Sequence, residues 1–293
     1  ESRTDALQEN QQRVASDLTN RDLKLTPPPG LSAEELAKWR VIKPDSVSIE
    51  RDGKRVTLTG DALVRWKYQR YMQDYLATVQ SVDDSVGRVL DALDKAGLAG
   101  NTIVVYTSDQ GFFLGDHGLF DKRFMYDESI RMPFLVRWPA GIKAGTRSDA
   151  LALNIDFAPT FIDAARLPPS PEMQGRSLLP VLRGRTPRNW RTSIYYRYYH
   201  DPGDHNTRAH YGVRTPTHKL IHFWTKDQWE LFDLVRDPHE LRNVYGQPGQ
   251  DKLTATLKAE LSRLKRAVRD DDQLANEQLP NGVDGPVARL RGK

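Results

Sequence analysis

Two short clusters in this chain of 293 residues carry side chains suited to chemistry at an anion. The first is Ser108-Asp109-Gln110-Gly111, which follows the apolar run Ile103-Val104-Val105-Tyr106-Thr107 directly. A carboxylate beside a carboxamide presents two hard oxygen ligands, the class that Ca²⁺ or Mg²⁺ takes. Gly111 lets the chain turn away from that point at little steric cost. On its own, Asp-Gln-Gly after a strand reads as an ordinary turn. The second cluster is Asp121-Lys122-Arg123, close behind the glycine-flanked loop Gly115-Asp116-His117-Gly118. A lysine is a compact point charge and an arginine a planar fork, and side by side they suit a phosphate or a sulfate group. Each charge alone is a solvated surface residue; a ligand pair and a cation pair in one loop after an apolar strand make a candidate site.

Several elements must position that loop. Tyr71, Tyr75, Val79, Val82, Val86, Val89, Leu90 and Leu93 recur at three- and four-residue steps, which predicts one long amphipathic helix stopped at Gly97. The β-branched run at 103–107 predicts a strand buried on both faces, as in a parallel sheet, with the ligand loop at its carboxyl end. A second strand is expected over 134–138, and a helix over 157–165 capped by Asp156. Residues 1–61 are polar, contain Pro27-Pro28-Pro29-Gly30, and read as short helical pieces joined by loops around a core supplied elsewhere. From about residue 187 the texture shifts. Short strands at 193–199, 211–214, 219–224 and 228–234 predict an antiparallel sheet, and Leu253, Leu257, Leu261, Leu264 and Val268 a helix packed on it. The tail after Asp270 reads as polar and irregular.

Composition removes other classes. The chain has no cysteine, so a disulfide scaffold, a thiolate zinc site and a thiol nucleophile are excluded within it. Lys+Arg number 43 against 39 Asp+Glu, a formal net charge of +4 with both signs interspersed, which argues against nucleic acid as partner. No apolar run approaches the roughly 20 residues that span a bilayer, and nothing near Glu1 reads as a targeting signal.

The run from Tyr106 to Trp138, with Thr107-Ser108-Asp109-Gln110-Gly111 and Asp121-Lys122-Arg123 inside it, resembles a signature region of the formylglycine-dependent sulfatases of the alkaline-phosphatase-like superfamily. Further matches run in order along most of the chain: Trp66 to Tyr71, Ser81 to Gly87, Ile155 to Thr160, Gln174 to Leu178, Tyr211 to Thr215 with Lys219-Leu220, Trp229 to Leu234, and Asp237 to Glu240. The Asp121-Lys122-Arg123 triplet is most similar to that of N-acetylglucosamine-6-O-sulfatases.

The resemblance implies an α/β fold: a partial alkaline-phosphatase-like core sheet with helices over 1–187, then a small antiparallel sheet on a helix over 188–293. It implies a sulfuric ester hydrolase acting on a sulfated sugar, 6-sulfated N-acetylglucosamine of heparan-type glycans. Asp109 and Gln110 match metal ligands for Ca²⁺ in preference to Mg²⁺, Lys122 the catalytic cation on the sulfate, and Asp121 and Arg123 contacts to sugar hydroxyls. His210 and His205 stand where the resembling enzymes place a substrate-facing histidine, with His210 preferred over His205; the alternative for a loop histidine is a solvated or core-capping role. No cysteine and no serine lies in the pattern from which formylglycine is made. The nucleophile is therefore expected on an N-terminal half, the partner of this chain, which alone is expected to be inactive. Alternatives are a phosphoester hydrolase or transferase of the same superfamily, and a non-catalytic binder of sulfated glycans. Members of the family are exported or lysosomal.

Overall fold

The computed structural model describes residues 2–270, so the irregular tail expected after Asp270 lies outside the described residues. Helix α1 (Asp5–Gln8) is a single turn. Helix α2 (Ala33–Arg40) starts at a capping box, with Glu35 N donating to Ser32 Oγ (3.3 Å) and Ser32 N to Glu35 Oε2 (2.8 Å). Strands β1 (Val47–Arg51) and β2 (Lys54–Leu58) then form an antiparallel hairpin, not the loop expected there. Asp52 and Gly53 turn it with φ of 51° and 71°, the double left-handed turn that matches the strand twist. Helix α3 (Gly60–Lys95) ends before Gly97 at φ 69°, as its periodicity predicts.

After α3 come β3 (Val104–Thr107), β4 (Phe113–Leu114), β5 (Phe120–Asp121), the single turn α4 (Asp127–Ile130) and β6 (Phe134–Arg137). Helices α5 (Phe157–Ala164) and α6 (Leu179–Leu182) follow. Strands β7 (Ile194–Tyr198), β8 (His210–Arg214), β9 (His218–Phe223) and β10 (Gln228–Asp233) precede helix α7 (Asp251–Ala267).

The chain forms two compact units. One contains residues 10–97 and 112–122; the other contains, among the described residues, 2–9, 98–111 and 123–270.

In the unit built on α3, Val14, Leu18 and Leu23 are buried against Trp66, Tyr68, Tyr71 and Phe120. Lys67 is buried in the same helix and donates to Pro44 O (2.8 Å) and Ala15 O (3.2 Å), so two carbonyls of the wrapping segment hold its ammonium. Burial lowers the Lys67 pKa. Within the polar N-terminal stretch, the segment from Val14 to Leu23 thus shares a core with the helix that follows it.

In the other unit, β7 to β10 form a four-stranded antiparallel meander in the order β10-β9-β8-β7, as the turn spacing predicts. Val213, Leu220 and Leu231 bury one face against Leu257 and Leu261 of α7. The first residues are strapped to this sheet: Thr4 N and Oγ1 donate to Glu230 Oε1 (3.2 and 2.9 Å), and the Arg3 guanidinium lies 5.0 Å from the Tyr126 ring centre.

Strand β3 pairs with β6, and the pairing is antiparallel, not the parallel arrangement expected. One face packs on α5, with Phe134 stacked on Phe157 at 5.1 Å. Tyr106 and Leu135 remain 38% and 64% exposed, so the strand is not buried on both faces. A short apolar run states that a strand needs cover and leaves open which strand pairs with it. Asp156 also departs from expectation. Its carboxylate is fully buried, accepts from Leu153 N and Arg176 N (2.8 Å each), and pairs with Arg191 instead of capping α5.

Candidate active site

The ligand loop leaves β3 at Thr107 and is held from behind by α4. Gly111 N donates to Ser129 O (2.7 Å), and a Cβ at Gly111 would lie 2.1 Å from Glu128 O and 2.7 Å from Arg131 O. Both are backbone atoms, so only glycine lets the loop seat there. Ser108 Oγ donates to Asp109 Oδ1 (3.2 Å), Asp109 is exposed and Gln110 is half-buried. Gly111→Ala is expected to lower stability by about 1–3 kcal/mol, the range for overpacking, and a thermal melt measures it. An unchanged melt would mean that the loop is not seated on α4.

Helix α4 is fastened in turn by buried charge. Asp127 accepts from Arg214 Nε (2.9 Å), Arg214 Nη2 (2.8 Å) and Lys219 Nζ (2.7 Å), while Lys219 Nζ also lies 2.7 Å from Glu240 Oε1. The Asp127 backbone N donates to Glu240 Oε2 (2.6 Å). Burial alone would raise the Asp127 pKa, but the Arg214 and Lys219 bonds and charges outweigh it and hold this carboxyl far below the usual range. The network ties the turn behind Gly111 to β8 and β9.

The cation pair follows a tight hairpin in the other unit. Strand β4 pairs with β5, Gly115 N donates to Leu119 O (3.0 Å), and the turn between them holds His117 at φ 56° with its ring edge-on to Phe113. Gly115, at φ 102°, leaves room for the Tyr68 ring, which a Cβ would meet at 2.6 Å. Asp121 is buried at φ 75°, a backbone conformation that costs an ordinary residue energy and that clusters at functional sites. Lys122, half-buried, ends this unit.

Arg123 opens the next segment of the sheet-bearing unit and forms an ion pair with Asp204. Asp204 starts a one-turn 3₁₀ segment whose second residue is His205, at φ 57°. The geometry therefore brings Arg123 and the His205 loop together through a carboxylate that sequence reasoning missed, because a polar Asp-Pro-Gly-Asp stretch reads only as a turn. His210 is placed differently. It is fully buried, stacked on Tyr198 (5.4 Å), Tyr196 (5.6 Å) and Phe124 (5.8 Å), with its Nδ1 bonded to Arg208 O (2.8 Å). Burial pushes its pKa down to about 4, so it is neutral at pH 7, and its Nε2 has no partner among the described residues.

For a metal ion the donor chemistry fits and the donor number falls short. Asp109 and Gln110 carry hard oxygen donors, yet no group of three or more acidic or histidine side chains gathers as a metal cluster among the described residues, whereas Ca²⁺ takes 6–8 oxygens.

The profile of the sulfatase family matches residues 4–167, more than half of the chain. The chain belongs to the sulfatase family. A second profile, N-sulphoglucosamine sulphohydrolase, C-terminal, matches residues 115–267. The sulfatase chain is 44% identical to an N-acetylglucosamine-6-O-sulfatase of Bacteroides thetaiotaomicron, over 93% of its own length and 52% of that protein's. It superposes with a TM-score of 0.81 and 43% identity on the structure of BT4656 in complex with its substrate D-glucosamine-2-N,6-O-disulfate, covering 93% of this chain and 58% of that one. It also resembles a phosphonate monoester hydrolase from Silicibacter pomeroyi (TM-score 0.63, 29% identity, 71% of this chain and 43% of that one). The chain thus spans about half the length of the curated relative it matches over most of its own residues. No helix among the described residues is long and apolar enough to cross a membrane.

Proposed function

We propose that this chain is the C-terminal portion of a sulfuric ester hydrolase that removes the 6-O-sulfate of N-acetylglucosamine in heparan-type glycans. The observation that carries the reading is the Asp121-Lys122-Arg123 triplet, led by a residue at φ 75°, in a chain 44% identical to an N-acetylglucosamine-6-O-sulfatase. Lys122 is the catalytic cation. Its ammonium meets the negative charge that grows on the sulfate and on the bridging oxygen as the S–O bond breaks. Asp121 and Arg123 hold sugar hydroxyls, and His205, on the loop joined to Arg123 through Asp204, is the better-placed histidine contact. His210, neutral and stacked under that loop, supports it from within the sheet.

Asp109 and Gln110 supply two oxygen ligands of a Ca²⁺ shell, and the ion when bound neutralises sulfate oxygens. The remaining ligands and the formylglycine reside on an N-terminal half, with residues 1–187 completing the α/β core and 188–293 forming the sheet-and-helix subdomain. Supporting that partner, apolar side chains that a core would bury lie open: Tyr106 and Leu135 on β3 and β6, and Leu76, Val79, Val82 and Val89 along α3.

The test uses the full-length protein made with a formylglycine-generating enzyme. Sulfate release from 6-sulfated N-acetylglucosamine is expected, with phosphonate and phosphate esters turned over much more slowly. Hydrolysis of phosphonate esters alone favours the phosphoester alternative, and glycan binding without turnover favours a binding protein.

A further inference from the structure

Arg123 is gripped at both ends. Its neighbour Phe124 is fully buried, stacked on Tyr126 (5.7 Å) and His210 (5.8 Å) and packed edge-on to Phe223 (6.2 Å), so the backbone that launches the arginine is fixed in the aromatic core. Its guanidinium tip meets Asp204, and both side chains are mostly buried, at 21% and 16% exposure. A pair this shielded is screened little by salt and keeps a defined geometry.

Asp204 is itself held in place by its loop. Thr207 N and Oγ1 both donate to Asp204 O (3.1 and 2.8 Å), and Gly203 N donates to Thr207 O (2.7 Å). Asp201 Oδ1 accepts from Ala209 N (3.1 Å), which closes the loop at its base. Glu9 fastens the far side, accepting from Asn206 Nδ2 at its carbonyl (3.0 Å) and from Arg208 Nη2 at its carboxylate (3.1 Å). Lys226 neutralises that carboxylate at 2.7 Å. Consecutive left-handed residues, His205 and Asn206, each at φ 57°, need this many restraints to persist.

We propose that Asp204 is a positioning residue that holds the Arg123 guanidinium in its sugar-binding orientation, so that part of the specificity for the sugar is set from the loop at 201–209. The inference rests on the reading of Arg123 as a sugar contact. A long arginine free to rotate loses that freedom when substrate binds, and a tethered one has lost it beforehand, which favours affinity. The carboxylate contributes through the arginine and not through contact with the sugar, so its effect exists only while Arg123 is present.

The experiment is a double-mutant cycle in the full-length enzyme: wild type, Asp204→Asn, Arg123→Ala and the double variant, with KM and kcat for 6-sulfated N-acetylglucosamine. Asp204→Asn is expected to raise KM about ten-fold, as small displacements of a positioning group do. The double variant should bind no worse than Arg123→Ala, which is the signature of two residues acting as one. Asp204→Glu, which keeps the charge, should fall between wild type and Asp204→Asn. Partial misfolding lowers apparent kcat and leaves KM unchanged, so KM separates positioning from mere support. An unchanged KM in Asp204→Asn, or the same factor with Arg123 removed, overturns the inference while sugar turnover in the wild type keeps the functional reading intact. A wild type that cleaves an aryl sulfate and not the sugar sulfate overturns the substrate reading, and this inference with it.

Discussion

Lys122→Ala in the full-length protein is expected to reduce kcat for 6-sulfated N-acetylglucosamine by about 10²–10³-fold, the loss found when one fixed donor to a developing oxyanion is removed. Cleavage of a sulfate ester leaves an alkoxide-like oxygen on the sugar while the sulfate keeps its negative charge. An ammonium fixed nearby gains attraction as that charge grows, so its removal acts on kcat more than on KM. Lys122 stands directly after β5, whose pairing with β4 and whose buried Asp121 set the direction of the chain there. Lys122→Arg should recover only part of the rate, because a planar fork does not place its charge where the compact ammonium does. Equal kcat in wild type and Lys122→Ala would remove the residue from the reaction and leave it a surface charge.

Much of the frame around this lysine is legible in the sequence, for unequal reasons. The meander β7 to β10 follows from runs of alternating and aromatic residues broken by turn-formers at regular intervals, and each observed strand lies within two residues of its expected span. Helix α3 follows from its three-and-four spacing, yet Val79, Val82 and Val89 of that stripe are exposed, because periodicity marks a face that needs cover without supplying the cover. The same holds for β3, whose apolar run is real and whose parallel partners were inferred. Residues 1–61 illustrate an available signal passed over: Asp52-Gly53 between two alternating runs is a hairpin cue, masked by the polarity of the flanking strands.

At the site, residue types at 109, 110 and 121–123 stand out in one line of sequence. Asp204 does not, since its partner Arg123 is 81 positions away and no local pattern records a contact of that length. The α4 anchor is similar. Asp127, Arg214, Lys219 and Glu240 are four unremarkable surface-type charges in sequence, and only the fold makes them one network, with Asp127, Lys219 and Glu240 buried and Arg214 half-buried.

That network yields the largest expected change in stability. Asp127→Ala leaves the buried Lys219 and the half-buried Arg214 with Glu240 as their remaining carboxylate, and the expected loss is about 3–5 kcal/mol, the cost of stranding charge by deleting one partner. A domain of ordinary stability has about 5–15 kcal/mol in total, so denaturant unfolding should show a sharply lowered midpoint. Because α4 backs Gly111, the ligand loop should loosen too, and hydrogen exchange at Gly111 N should accelerate. The pH dependence has a definite sign. Asp127 titrates lower in the folded chain than its ordinary value of 3.8, so the folded form binds fewer protons there. Its contribution is complete at neutral pH, begins to fall as the medium approaches 3.8, and vanishes in stronger acid. Glu240 opposes this in part: burial raises its pKa despite Lys219, so protonating it favours the fold as pH drops. The stability gap between wild type and Asp127→Ala should therefore be widest near pH 7 and shrink below pH 4. A gap of the same size at pH 7 and pH 3 would show that Asp127 acts as packing and not as charge, and the electrostatic account of how α4 is held would have to be abandoned.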